Sequence, residues 1–190
     1  MAACVQVARP LAHRRAQSIR FLPRLRFLGL LLGTVCLLAG CATGRIVDGT
    51  YRDRAHGYEV RLPPAPWVLA PLDGAVLSFK APPLGAAMAL DVECQNPEQG
   101  ELPWVARHLF FGLRDTRAQE REVIQMSGAE AIRSRLQATL DGQPVEVEGV
   151  TVRRGGCLYD FMYAAPPAEF SRGRPDFETF VNSWTPLPTE

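Results

Sequence analysis

Hydrophobic and polar residues alternate in several short runs of this chain, and a period of two is typical of strands with one buried face. Residues 58–62 alternate in this way and stop at a pair of prolines, which suits a strand end because proline lacks the amide that pairs with a neighbouring strand. Residues 67–70 are expected to form the hairpin partner of this strand. A third strand is predicted over residues 75–79, after an Asp-Gly turn.

Two more runs continue the pattern. In residues 86–94 the apolar side chains point to one side of the predicted strand, and Asp91 and Glu93 point to the other. One face of this strand is therefore expected to contact water. Residues 122–126 predict a further strand.

The pair Asp141 and Gly142 lies between two alternating runs and is a strong hairpin signal within a meander predicted over residues 130–165. A turn at this pair places apolar residues opposite apolar ones and a charge opposite its counter-charge. The expected pairs are Leu140 with Gln143, Ala138 with Val145, Leu136 with Val147, and Arg135 with Glu148. After a double-glycine turn, residues 157–163 are bulky on both faces, which predicts a central strand.

Apolar side chains spaced three or four residues apart predict two helices. The first is expected over residues 102–113, with a proline near its start and one apolar face formed by Leu102, Val105, Leu109 and Phe110. The second is expected to begin at Pro175 and to end before Pro186, with acidic residues in its first turn, where the helix dipole favours them. Its buried stripe would consist of Phe177, Phe180, Val181 and Trp184.

This order of elements predicts an α+β fold in which one mainly antiparallel sheet is flanked by helices. The composition agrees, because 47% hydrophobic and 22% charged residues are typical of a folded domain and exclude a disordered chain. We expect a single globular domain over residues 49–190.

An uncharged apolar run of fourteen residues, 27–40, follows six arginines and precedes Cys41. A helix needs roughly 20 apolar residues to cross a bilayer, so this run predicts a signal peptide over residues 1–40 rather than a permanent anchor helix. Residues 41–48 would then form a short tether. General secretion carries such a chain out of the cytoplasm.

The end of this leader resembles the lipobox of bacterial lipoproteins, in which small residues precede a cysteine. The residues that carry the resemblance are Leu38, Ala39, Gly40 and Cys41. It implies diacylglycerol on the Cys41 sulfur, cleavage before Cys41 and acylation of the new amino group. Two or three acyl chains at about 0.8 kcal/mol per buried CH₂ would hold the protein on membrane lipid permanently. Ala42, where an aspartate would imply the inner membrane, implies the periplasmic face of the outer membrane. An ordinary cysteine after a secretory signal is the alternative.

The charge of the chain after the leader limits the classes of partner. Without the six leader arginines, 15 basic residues stand against 20 acidic ones, a formal charge of −5 that disfavours nucleic acid as a partner.

Cys94 and Cys157 are the cysteines left after the leader and Cys41. In an oxidising periplasm they can form one disulfide, closing a loop of about 64 residues worth roughly 4 kcal/mol. Two separate buried thiols are the alternative.

The order of segments resembles the PsbP-like fold, known from an extrinsic photosystem II subunit and from small bacterial proteins. The resemblance spans residues 51–184 and is carried by residues 57–63 with Trp67, the hairpin 140–143, the strand 159–161 and the closing segment 176–180. It implies an α/β/α sandwich. None of the photosynthetic subunit's functional residues is matched, so the resemblance implies a docking module rather than an activity.

Candidate chemistry is sparse. The mature chain has two histidines: His56, expected in an exposed turn near Asp53, and His108, expected to pack or cap on the first helix. A catalytic or metal-ligand role for either is the alternative. Asp91 and Glu93 could act together as glycosidase acids do, although a solvated outer face is the simpler interpretation. No nucleophile motif, zinc-type cysteine spacing or phosphate loop occurs, so no cofactor or metal is expected.

Two further groups of residues have both a structural and a functional interpretation. Arg133 and Arg135 are expected to share a polar hairpin face with Glu146 and Glu148, as a solubilising ladder or as an interaction rim. Most aromatic residues are expected in the core, with a minority in an exposed groove; they are Trp67, Trp104, Phe110, Phe111, Phe177, Phe180 and Trp184.

We therefore expect a lipid-anchored, non-enzymatic periplasmic module that binds a protein partner in the cell envelope. An envelope hydrolase using Asp91, Glu93 or His108 is one alternative, and a carrier of a hydrophobic ligand is another. An acid or histidine with a perturbed pKa in a closed cleft would favour the hydrolase. A deep apolar cavity between sheet and helices would favour the carrier, and an uncovered apolar patch or sheet edge would favour the binding module.

Overall fold

The computed structural model describes residues 44–94 and 100–188. The leader and Cys41 lie outside this range. Within it, the chain forms two antiparallel sheets, two α-helices and short 3₁₀ turns. The strands are β1 Gly44–Val47, β2 Thr50–Asp53, β3 Tyr58–Arg61, β4 Val68–Leu69, β5 Leu77–Ala81, β6 Ala86–Glu93, β7 Arg114–Met126, β8 Ala129–Leu140, β9 Gln143–Arg154, β10 Cys157–Ala165 and β11 Thr185–Pro186; the helices are α1 Leu102–Val105 and α2 Pro167–Asn182.

A large sheet of seven strands forms the centre of the fold, in the order β4-β5-β6-β10-β9-β8-β7. Helix α2 packs on one face of this sheet, and α1 with the 3₁₀ turn His108–Phe110 packs on the other. The predicted α+β class and α/β/α layering are confirmed. Strand β10 is the middle strand of the seven, as its bulk on both faces predicted.

The hairpin between β8 and β9 has the predicted register. The structure pairs Leu140 with Gln143, Ala138 with Val145, Leu136 with Val147, and Arg135 with Glu148. Asp141 and Gly142 both have positive φ angles, 49° and 78°, as a tight two-residue hairpin turn requires.

A second, four-stranded sheet was not predicted. Its order is β1-β2-β3-β11, and its inner face joins the main core through Tyr51, Tyr58 and Val60. Residues from Gly44 onward therefore belong to the folded body, although we expected a tether up to residue 48. The expected hairpin partner at residues 67–70 is also wrong: β4 pairs with β5 rather than with β3.

Both predicted helices have the wrong bounds. Helix α2 begins at Pro167, and Pro175 lies inside it, where its ring removes one backbone hydrogen bond. Residues 167–174 carry one buried aromatic residue, Phe170, so they lack the apolar stripe that would have revealed a helix. The segment 102–113 contains one α-helical turn and one 3₁₀ turn rather than a continuous helix. The strand expected at 122–126 is longer, since β7 begins at Arg114.

Aromatic side chains fill the space between α2 and the large sheet. The predicted stripe is correct, with exposed fractions of 0 to 1% for Phe177, Phe180, Val181 and Trp184. A disulfide joins Cys94 to Cys157, linking the end of β6 to the start of the neighbouring β10. The two thiols are thus bonded to each other rather than buried separately.

Candidate functional site

Asp91 and Glu93 lie on the face of β6 opposite to α2, and both are exposed. Asp91 is directly opposite Asp160 of β10, whereas Glu93 is opposite Leu158. Burial by the surrounding sheet raises the pKa of Asp91, the nearby charge of Glu93 raises it further, and a hydrogen bond from the backbone N–H of Val92 opposes both. The carboxylates thus stand on an open sheet surface rather than in a closed cleft.

His56 is held by a buried carboxylate, a contact that sequence reasoning missed. The side chain of Asp53 is wholly buried, and its Oδ1 accepts hydrogen bonds from the backbone N–H groups of Ala55 and His56. Its Oδ2 lies 2.8 Å from Nδ1 of His56, whose ring is partly exposed. This contact orients the imidazole ring. The signal in the sequence is the spacing of an aspartate three residues before a histidine across a predicted turn.

The His56 turn borders a surface cavity of about 600 Å³ at the end of the large sheet. Arg54, Arg154, Tyr159 and Cys157 also line this cavity. The hydroxyl of Tyr159 donates to the carbonyl of His56, 2.8 Å away, which fixes the turn against β10. Since Arg154 donates to the Ser127 carbonyl, it is already engaged within the fold.

The charged ladder predicted on the β8–β9 hairpin exists, and α2 completes it. Glu148 is fully buried, with Oε2 2.7 Å from Nε of Arg174 and Oε1 3.3 Å from Nε of Arg133. Beside it, Glu146 pairs with Arg135 at 3.0 Å. The hydrogen bond from Arg174 to Glu148 raises the pKa of the Arg174 guanidinium, so the arginine stays charged. This arrangement is an ion-pair network around the buried Glu148, and the side chains of Arg135 and Arg174 are partly exposed, at 38% and 33%.

The space between α2 and the sheet is packed with side chains. Phe161, Phe170 and Phe177 have exposed fractions of 0 to 2%, and Tyr163 donates its hydroxyl hydrogen to the Phe170 carbonyl at 2.9 Å. Burial raises the pKa of Tyr163 to about 12. These side chains occupy the region where a carrier would need a ligand cavity.

His108 belongs to an exposed aromatic group on the opposite side of the sheet. Its ring stacks on Phe111, with centroids 4.6 Å apart, and meets Trp104 edge to face at 4.2 Å. Trp104 is 50% exposed and Phe111 is 76% exposed. We call Trp104, His108 and Phe111 the aromatic patch. His108 thus packs against aromatic rings, in agreement with the expected packing role.

The strand that follows the aromatic patch in the chain has a free edge. Strand β7 begins three residues after Phe111, pairs with β8 alone among the described strands and is the outermost strand of the large sheet. Burial lowers the pKa of Arg121 in this strand, and the nearby charge of Arg107, between Trp104 and His108, lowers it further. The side chain of Val123 on the same strand is exposed.

Asp91 lies on the same face of the large sheet as the segment that carries His108, whereas His56 lies in the turn between β2 and β3. The described residues contain no group of three potential metal ligands. No helix in the described ranges is long and apolar enough to cross a membrane. A minority of the seven aromatics was expected to be exposed, and the exposed ones are Trp104 and Phe111; the buried ones are Trp67, Phe110, Phe177, Phe180 and Trp184.

Comparison with known proteins identifies the fold but not a family. No family model and no curated protein matches the sequence. Among solved structures, cyanobacterial PsbP (CyanoP) from Synechocystis matches with a TM-score of 0.57 and 16% identity, covering 82% of this chain and 99% of that one. LpqN, described as involved in cell envelope biogenesis of Mycobacterium tuberculosis, matches with a TM-score of 0.51 and 15% identity, covering 70% of this chain and 86% of that one.

A mutant of the protein Mog1 matches with a TM-score of 0.50 and 10% identity, covering 70% of this chain and 92% of that one. This chain has the Mog1/PsbP-like fold. Identities this low show the arrangement of the backbone alone, because one fold serves unrelated functions. The predicted resemblance to the PsbP-like fold is confirmed at that level.

Proposed function

We propose that this protein is a lipid-anchored periplasmic binding module that holds a protein partner of the cell envelope. Acyl chains on Cys41 attach it to the periplasmic face of the outer membrane, and the aromatic patch beside β7 contacts the partner. The observation that carries the proposal is the exposure of Trp104 and Phe111 on a segment packed against the large sheet, because large aromatics are enriched at protein interfaces.

The anchor is supported by the leader and its lipobox-like end, which places Cys41 three residues before β1. The similarity in fold to LpqN, whose name links it to cell envelope biogenesis, agrees with an envelope location. Membrane attachment through lipid needs no spanning helix in the folded body.

The docking role is supported by how the patch is held. Leu109 and Phe110 pack down onto the sheet around Val147 and Leu136, so their neighbours Trp104 and Phe111 face outward at fixed positions. A rigid aromatic side chain loses little conformational entropy on binding. The neighbouring edge of β7 offers backbone groups to which a partner strand can add.

The two alternatives lack the features that they require among the described residues. A hydrolase needs its acids in a cleft that excludes water, and Asp91 stands on an open sheet face. A hydrophobic carrier needs an apolar cavity, and aromatic side chains occupy the space under α2.

The anchor is tested by changing Cys41. A Cys41→Ser variant should accumulate as an uncut precursor without acyl chains, because serine lacks the thiolate that attacks the lipid donor. Mass spectrometry of the native N-terminus measures both cleavage and lipid. Normal processing of the variant, or a native N-terminus without fatty acids, would overturn the anchor.

The docking surface is tested by site-specific photo-crosslinking in the native envelope. A photoreactive residue at Phe111 should give a discrete protein adduct, and Trp104→Ala should reduce it about tenfold. The control position is Leu72, which is 61% exposed in the loop between β4 and β5. Equal adducts from positions 111 and 72 would contradict a specific docking surface.

A further inference from the structure

The outer face of the small sheet carries a concentration of arginines. Strand register places Arg45 beside Arg52, and Arg52 beside Glu59, across β1, β2 and β3. On the same face Val47 pairs with Thr50, which pairs in turn with Arg61. Arg54 follows β2 in the adjoining turn. We call Arg45, Arg52, Arg54 and Arg61 the basic face.

The basic face has a net positive charge. Glu59 accepts hydrogen bonds from Arg52, with Nε at 2.8 Å, and so neutralises that arginine. Arg45, Arg54 and Arg61 form no ion pair with any residue that the structure describes, and all three are exposed. Asp48 in the β1–β2 turn is the other acidic group beside this face. The face is thus positive on a mature chain whose formal charge is negative.

The basic face is concave. Arg45, Arg52 and Arg54 line a surface cavity of about 670 Å³ together with Val47 and Thr50. The exposed fraction of Val47 is 60%, which places an apolar group beside the arginines on this face. Guanidinium groups bind phosphate oxygens well, and apolar side chains next to them suit the boundary between headgroups and acyl chains.

The chain enters the fold at β1, the edge strand of this same sheet. Gly44, the first described residue, begins β1 and lies against the ring of Tyr51 so closely that a methyl group on its Cα would overlap the ring. The start of the folded body is therefore fixed on the small sheet. Cys41 is three residues earlier, and three extended residues span at most about 11 Å.

We propose that the basic face binds the anionic phospholipid headgroups of the membrane that holds the Cys41 acyl chains. This inference rests on the anchor of the proposed function and adds an orientation to it. Because the tether is about as long as the Debye length of roughly 10 Å, the arginines lie within the field of the membrane surface. The basic face of the small sheet is turned toward the bilayer, and Val47 reaches its headgroup boundary.

The test uses the lipidated full-length mature protein reconstituted in vesicles of phosphatidylcholine with or without phosphatidylglycerol. A photoreactive residue replaces Val47, and mass spectrometry measures the phospholipid adduct. The adduct should be about tenfold more abundant with phosphatidylglycerol, and high salt should reduce it. A photoreactive residue at Val123, exposed on β7 of the other sheet, should give no such dependence.

A charge-reversal pair provides the matched control. The triple variant Arg45→Glu, Arg54→Glu and Arg61→Glu should lose the phosphatidylglycerol dependence. The triple variant Arg114→Glu, Arg117→Glu and Arg172→Glu makes the same change in net charge at exposed positions elsewhere and should keep it. Thermal unfolding of each variant checks that the fold is intact.

The outcomes separate this inference from the anchor. A lipidated protein that stays on both kinds of vesicle, with equal Val47 adducts, overturns the orientation and leaves the anchor standing. A native protein without acyl chains overturns both. A Val47 adduct with a protein rather than with phospholipid in the native envelope also overturns the orientation.

Discussion

Aromatic residues lie on both faces of the large sheet, but they are buried on one face and exposed on the other. Under α2, Phe177 and Trp184 are fully buried, whereas on the opposite face Trp104 and Phe111 have exposed fractions of 50% and 76%. The difference follows from the length of the covering element. Helix α2 has 16 residues and lays a continuous stripe across the strands, but α1 has four residues and buries little beyond Val105. Aromatic residues therefore stabilise one face and remain available for binding on the other.

The largest expected effect contrasts one aromatic residue from each face. Phe177→Ala leaves a cavity in a packed core and should lower the free energy of unfolding by roughly 3–5 kcal/mol. Phe111→Ala, in the aromatic patch, should change it by less than about 0.5 kcal/mol. Urea unfolding followed by circular dichroism measures both. Similar losses for the two variants would mean that Phe111 is part of the core.

The second contrast concerns the ion pairs on the α2 side of the sheet. Glu148→Gln leaves Arg174 and Arg133 without their buried counter-charge and should cost roughly 3 kcal/mol. Glu122→Gln is the control, because Glu122 pairs with Arg133 at an exposed position and should cost less than about 0.5 kcal/mol. Denaturant unfolding at neutral pH measures the difference, and equal costs would argue against an energetic role for burial at Glu148.

The third prediction concerns the segment 102–113, which packs on the face of the large sheet opposite to α2. A substitution under this segment should loosen its packing. A methyl group at Gly149 would overlap Leu109 and lie 3.0 Å from Cζ of Phe110. Gly149→Ala should therefore cost about 1–2 kcal/mol and increase amide hydrogen exchange in residues 108–113. Adding Leu109→Ala should restore part of the stability because it removes the overlapping side chain. A single variant with unchanged exchange would show that the cover can shift freely.

The smallest effect concerns Asp91. Burial raises the pKa of this carboxyl in the folded state, so the folded protein holds its proton to a higher pH than the unfolded chain. Stability therefore falls as the pH rises from below the ordinary value of about 3.9 through the raised pKa. Asp91→Asn should remove this fall and gain less than about 0.5 kcal/mol at neutral pH, since the group is exposed.

Thermal unfolding between acidic and neutral pH measures the effect, with Asp73→Asn in an exposed turn as the control. A fall in stability that persists in Asp91→Asn would assign it to another group.

Elements defined by neighbouring residues were predictable from the sequence. The β8–β9 register follows from the Asp141–Gly142 turn and from local alternation, and both signals agree. The buried stripe of α2 follows from the spacing of its aromatic residues. The start of α2 was not predictable, because Arg174 in its polar first half is matched by Glu148 on β9, far away in the sequence.

The candidate sites also contain features that the sequence could not predict, because they depend on distant residues or on turn geometry. The small sheet was missed because β1, β2 and β3 have four residues each and β11 has two, so their pairing depends on distant partners. The Asp53–His56 contact needed the turn geometry, although both residues were already assigned to one turn. That Trp104 and Phe111 are exposed while Phe110 is buried depends on a 3₁₀ turn that replaces the expected helix.

The sequence by itself determined the fold class, the central hairpin register, the aromatic stripe and the expectation of a lipid-bearing Cys41. Each of these depends on residue types at short spacings, which a linear pattern records. Only the tertiary structure decided that the Cys94 and Cys157 sulfurs bond, that the arginines of the small sheet share one face, and that Trp104 and Phe111 are exposed. These features depend on which strands become neighbours, and that choice is made by burial of the whole core rather than by any local run of residues.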